Sequence, residues 1–120
     1  MSKIEQRVVE NLLERNIGFP RPNVLCGPRY GVDCALVELD GGKAMALASD
    51  PLSYILSIGI KESAFLSIHL TANDIATTGF SPQYGQFVLN LPVHVSDKEL
   101  EDYWIHIGHF AEEVGLNITG

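Results

Sequence analysis

The fold turns on "CALVELDGGKAMALASDP", residues Cys34 to Pro51. It reads as two short apolar strands around Asp40-Gly41-Gly42-Lys43, a hairpin connection rich in turn-forming residues. With Gly41 and Gly42 as the turn, Lys43 faces Asp40, Ala46 faces Val37 and Asp50 faces Asp33. Directly opposed residues have Cβ atoms roughly 5 Å apart, and like charges there are destabilising. A cation between the two carboxylates, or a proton on one of them, would account for such a pair. Solvated strand ends are the other reading. Pro51 ends the second strand where Asp50 leaves the sheet.

Upstream of the hairpin, Ser2 and Glu5 have capping-box spacing. Ile4, Val8 and Leu12 then recur at helical intervals, which predicts a first helix to about Asn16. "GFPRPNVLCGPRYG" is a Pro- and Gly-rich loop. Downstream, a long helix is expected from about Ile60 to Thr78, with Ala64, Ile68, Ala72, Ile75 and Ala76 as its buried stripe. "QYGQFVLNLPV" reads as a third strand. Ser96 and Glu99 form a second capping box, opening a helix that Gly115 ends. Leu100, Trp104, Ile107, Ala111 and Val114 make the expected core face of that helix. "LNIT" reads as a last strand. The order predicts an α+β fold: a mixed, roughly four-stranded sheet with helices on one face. Both hairpin strands are apolar on both faces, so the free sheet face calls for a second subunit or domain.

The chain of 120 residues is 46% hydrophobic and 19% charged, the composition of one folded domain. Eight basic and fifteen acidic side chains leave a net charge of −7. That balance argues against duplex nucleic acid or an anionic membrane as partner, and means that a phosphate ligand would need a bridging cation. "MSKIEQ" is unlike a secretory signal and no apolar run is long enough to cross a bilayer, so a soluble, cytoplasmic protein is expected. Cys26 and Cys34 fit no metal or redox spacing and read as free thiols.

A second stretch, "HLTANDIATTGFSP" from His69 to Pro82, places polar residues in a helix of small ones. His69, Asn73 and Thr77 line one stripe, with Asp74 and Thr78 beside it. They border the packed stripe of Ala72 and Ala76, so Asp74 can lean over the end of the sheet. A carboxylate there, added to Asp33 and Asp50, would give an oxygen-rich site suited to Mg²⁺. Taken alone, the set is equally a solvated helix edge.

"GVDCALVEL", "ALASDP" and "TANDIATTGFSP" together resemble, in order and spacing, the ATP-binding N-terminal domain of the aminoimidazole ribonucleotide synthetase superfamily. The resemblance runs from about Gly27 to Gly120, and Asn-Asp-Ile-Ala followed by Thr-Gly-Phe-Ser-Pro is its most specific part. The branch looks most like the synthase-related proteins near the hydrogenase expression/formation protein. The resemblance implies that Asp33, Asp50 and Asp74 bind Mg²⁺ ions carrying the phosphates of ATP, with Asn73 in the same site. It implies a homodimer in which two sheets pair into a barrel. It implies phosphoryl transfer from ATP to a carbonyl or carboxamide oxygen of a small-molecule or peptide-carried substrate. Two features depart from the pattern: Val32 stands where many members have a second acid, and the Gly-rich phosphate loop is not evident, "CGPRYG" with Arg29 being a poor substitute for it. Members also continue into a second domain that helps hold substrate, so this chain is expected to correspond to the first half of an enzyme, inactive alone. A non-catalytic dimerisation and nucleotide-binding module is the alternative, and a plain structural dimer a third.

Other residues carry weaker expectations. Arg29 and Lys61 can each reach a phosphate but read first as surface residues. His69 reads as a helix-packing histidine before a site residue. His106, His109 and Glu113 share a helix face at zinc-like spacing without a fourth ligand.

Overall fold

The computed structural model describes residues 4–120, which divide into two compact units at Ala48 and Ser49. Ser2, half of the first capping box, lies outside the described residues.

In the first unit, α1 (Gln6–Val8) runs on as a π-helical turn over Val9–Leu13, short of the predicted end near Asn16. No residue of either piece is buried. A helix this short gains little without packing, and adjacent Val8 and Val9 are stiff at χ1, which disfavours continuation. The rest is a three-stranded antiparallel sheet in the order β1 (Val24–Cys26), β2 (Ala35–Leu39), β3 (Lys43–Leu47). β1 falls inside the stretch expected to be loop. Its three residues sit between Pro22 and Gly27, too few to show a period, and it is held by pairing to β2.

The hairpin forms, but one residue out of the expected register. Val37 faces Met45 and Leu36 faces Ala46. The connection uses three residues, Asp40–Gly42, in a 3₁₀ turn. Gly41 and Gly42 both take the left-handed conformation, at φ 78° and 73°, which a side chain would resist. The ladder stops at Ala35 and Leu47, so it does not reach Asp33 or Asp50. Asp33 and Asp50 are therefore not an opposed pair of this hairpin, contrary to the expected register.

In the second unit, β4 (Leu52–Ser53) pairs in parallel with β6 (Leu89–Asn90), and β5 (Tyr84–Gly85) in parallel with β7 (Asn117–Ile118). Among the described residues there are thus three small sheets rather than one four-stranded sheet, although antiparallel and parallel pairings do coexist. The predicted third strand is split. Its first half joins β7 and its second half joins β4, because Gln86–Val88 between them leave the ladders. Two helices, α2 (Ile60–Ala76) and α3 (Asp97–Glu113), pack against each other. The core is Leu52, Tyr54, Ala64, Ile68, Tyr103 and Ile107, closed by Ala111 and Leu116. Tyr103 is fully buried, stacks on Tyr54 at 5.6 Å, and shares a 2.9 Å hydrogen bond with the Ser67 hydroxyl. Trp104, expected in the core, is 40% exposed. Ile107 and Ala111 belong to either stripe, and the helix rolls to bury Tyr103, whose hydroxyl finds a partner inside.

The second capping box is present in full. The Glu99 backbone N–H donates to Ser96 Oγ at 3.1 Å, and the Ser96 N–H donates to Glu99 Oε2 at 2.8 Å. That hydrogen bond from Ser96 holds the Glu99 carboxyl below the usual range. Ser96→Ala will cost about 1 kcal/mol in a urea melt. An unchanged midpoint would show that α3 is held by its packing alone.

Candidate carboxylate site

The site is built where β4 and α2 come together. Asp50 is exposed and stands two residues before β4. After β4 the chain turns at Ile55–Gly59, where the N–H groups of Ile58 and Gly59 both donate to the Ile55 carbonyl. Ser63 fastens this turn: its hydroxyl accepts from the Ile55 N–H at 2.9 Å. Gly59 caps α2 at φ 94°, a conformation open to glycine. α2 then packs back along β4, so its C-terminal end returns to the chain preceding that strand.

There Asp74, half-buried, meets Asp50. The two carboxyl groups are within hydrogen-bonding reach, and Asp74 holds its proton up to about pH 6 against an ordinary 3.8. The hydrogen bond to Asp50 is the main cause, followed by burial and by the charge of Asp50. Asn73 is exposed beside Asp74. Thr77 and Thr78 turn their hydroxyls back to the carbonyls of Asp74 and Ile75, both at 2.7 Å, closing the last turn of α2. Among the described residues of this unit, no third His, Cys, Asp or Glu gathers with Asp50 and Asp74 into a cluster.

Asp33 and Arg29 belong to the first unit, both exposed, in the turn that leads into β2. Cys26 and Cys34 are half-buried and unbridged. Lys61 is exposed, along a groove lined by Phe65, Leu66 and Phe110. His69 takes the packing role: its ring lies 4.1 Å from that of Phe65 and edge-on to Phe110 at 6.3 Å. Its Nε2 is buried without a hydrogen-bond partner among the described residues. His106 and His109 are 6.5 Å apart, and His106 stacks on Phe110. Among the described residues of this unit, no third ligand joins those two histidines.

The direct contact between Asp50 and Asp74 could not be read from the hairpin. Its sequence clue was the polar step in α2, at Asn73 and Asp74. An all-oxygen donor set of two carboxylates and an amide suits a hard divalent cation. Two acids held so close repel when both are ionised, and a cation or a shared proton relieves that repulsion.

No helix among the described residues is long and apolar enough to cross a membrane. No curated protein and no solved structure matches the chain. Residues 31–120 match the family described as AIR synthase related protein, N-terminal domain, a span that takes in the hairpin, Asp50 and the Asn73-Asp74 helix. The chain belongs to that family.

Proposed function

We propose that the chain binds a magnesium–nucleotide complex, with Asp50 and Asp74 as the core of the metal site. The observation that carries this reading is the Asp50–Asp74 pair, two acids kept in contact at the C-terminal end of α2. Asn73, beside Asp74, completes the ligand set proposed within this unit. Family membership alone carries the proposal that Asp33 adds a metal ligand and Arg29 a phosphate contact. Bound Mg²⁺ would supply charge neutralisation at the ATP phosphates, the main requirement of phosphoryl transfer. The chain's own part is to hold Asp50 and Asp74 in reach of each other and to give up the Asp74 proton when a cation arrives.

Family membership extends the proposal to an ATP-dependent enzyme of the AIR synthase type, in which a carbonyl or carboxamide oxygen is activated by phosphoryl transfer. A hydrogenase-maturation-like role is one form of it. This chain supplies the nucleotide half, in the cytoplasm, as a homodimer.

The dimer has its own support. The first unit contributes no fully buried side chain among its described residues, and Val24, Leu25, Leu39, Met45 and Leu47 of its sheet are exposed. This much exposed apolar surface on a three-stranded sheet supports the proposal that it pairs with a second copy. The same face supports the second reading, a non-catalytic dimerisation module. Calorimetry with a non-hydrolysable ATP analogue separates them. Binding that requires Mg²⁺ and falls at least tenfold in Asp50→Asn, roughly 1.4 kcal/mol or more, is expected. Absence of metal-dependent binding would leave the dimerisation module. Sedimentation equilibrium is expected to give twice the monomer mass, and a monomer at all concentrations would remove the sheet-pairing proposal.

A further inference from the structure

α3 carries a second surface that the carboxylate site does not use. Asp97, Leu100, Glu101 and Trp104 follow one another at i, i+3, i+4 and i+7, one stripe of the helix. With Leu89 of β6 they line an open groove of about 580 Å³. Its floor is apolar: Leu89, Leu100 and the indole of Trp104, backed edge-on by Phe87 at 6.3 Å. Its rim is acidic, formed by Asp97 and Glu101. Lys98 is bonded to Asp102 at 2.8 Å, and Glu99 is engaged in the cap with Ser96. Asp97 and Glu101 make no hydrogen bond or ion pair among the described residues; Glu101 only feels Lys98 through space.

We infer that this groove docks a basic amphipathic segment of a partner protein. The apolar side of such a segment would cover Leu89, Leu100 and Trp104, and its Lys or Arg residues would meet Asp97 and Glu101. An arginine or lysine beside Trp104 would also gain a cation–π contact. Charge decides against the other occupants. A second copy would bring its own Asp97 and Glu101 to the same rim, on a chain already at −7. An anionic membrane or nucleic acid would be repelled by the same two acids.

Trp104 is the only tryptophan of the chain, so its fluorescence reports the groove alone. The probe is a tryptophan-free peptide of roughly four helical turns, with leucine at i, i+3, i+4 and i+7 and lysine elsewhere. A glutamate version serves as its counterpart. The full chain titrated with the lysine peptide will show a blue shift and protection from acrylamide quenching; the glutamate peptide will produce neither. D97N/E101Q will weaken the lysine peptide about five- to tenfold. E112Q/E113Q, which removes two acids from the far end of α3, will leave it unchanged. Equal weakening by both double variants would reduce the effect to net charge and overturn the proposal. So would a silent Trp104, or equal binding of the glutamate peptide. A blue shift that grows with the concentration of the chain alone would assign the groove to a second copy and overturn it too.

Discussion

An Asp74→Asn chain will be more stable than its parent at pH 8 and nearly equal to it at pH 4. Asp74 in the folded chain keeps its proton up to about 6, against 3.8 as an ordinary aspartate. A group that binds its proton more tightly when folded draws stability from that proton. The contribution is complete below 3.8 and is lost as pH rises through 6. The parent therefore weakens between pH 4 and pH 7 through this group, by about 1–2 kcal/mol once solvent screening of a half-buried site is allowed for. Asparagine keeps a donor toward Asp50 and has no proton to lose, so the variant loses that slope. Mg²⁺ must act on the parent in the opposite direction. At pH 8 it will raise the parent's stability, because it binds the folded pair and replaces the proton between the acids. It will do nothing for Asp74→Asn. Urea melts of both chains at pH 4, 6 and 8, with and without Mg²⁺, give the whole comparison. Identical pH slopes would show that the two carboxyls do not share a proton in solution. A lost slope in the variant, with no response of the parent to Mg²⁺, would keep the pair and remove the metal.

The same pair shows what the sequence could reveal and why it stopped there. The two long helices were legible because their signals are local. α2 was expected over Ile60–Thr78 and forms over Ile60–Ala76; α3 opens on the Ser96 capping box and ends before Gly115. The hairpin was legible as a hairpin, since glycine pairs announce a turn. Its register was not, because Gly41-Gly42 as a two-residue turn and Asp40–Gly42 as a three-residue 3₁₀ connection fit the same sequence, and the choice shifts every opposed pair by one. Strands of two residues such as β4 and β5 are too short for alternation to exist in them. Tyr103 and Trp104 are neighbours on a helix where Ile107 and Ala111 fit either stripe. What separates them is the Ser67 hydroxyl on another helix, which no pattern within α3 contains. Asp50 and Asp74 are 24 positions apart, and the packing of α2 against β4 joins them. The family resemblance implies that they share a site, whereas a two-residue turn would oppose Asp50 to Asp33 in a register that does not form.

Truncating Tyr103 will cost the second unit much of its stability. The ring is fully buried between α2 and α3 and stacked on Tyr54. Tyr103→Ala removes it and leaves a cavity among Leu52, Ile68 and Ile107, at a cost of about 3–5 kcal/mol. Against roughly 5–15 kcal/mol for a folded domain that is a large share, so the variant will unfold at a much lower urea concentration than the parent. Tyr103→Phe isolates the polar part. It keeps the ring and the stack, but leaves Ser67 Oγ buried without its partner, for about 1–2 kcal/mol. Ser67→Ala in the parent will cost a similar amount, by stranding the phenol. Adding Ser67→Ala to Tyr103→Phe will then cost little more, because a hydrogen bond removed from both sides leaves nothing unsatisfied. Strict additivity in that cycle would mean that the two hydroxyls act independently, through water or other groups. Ser67 lies about two turns before Asp74 on α2, beyond direct contact. Tyr103→Phe will therefore lower stability at every pH by the same amount and keep the parent's slope between pH 4 and pH 7. A slope that vanished with the phenol would mean that the Ser67–Tyr103 bond sets where α2 delivers Asp74, and that the core and the carboxylate site are one mechanical unit.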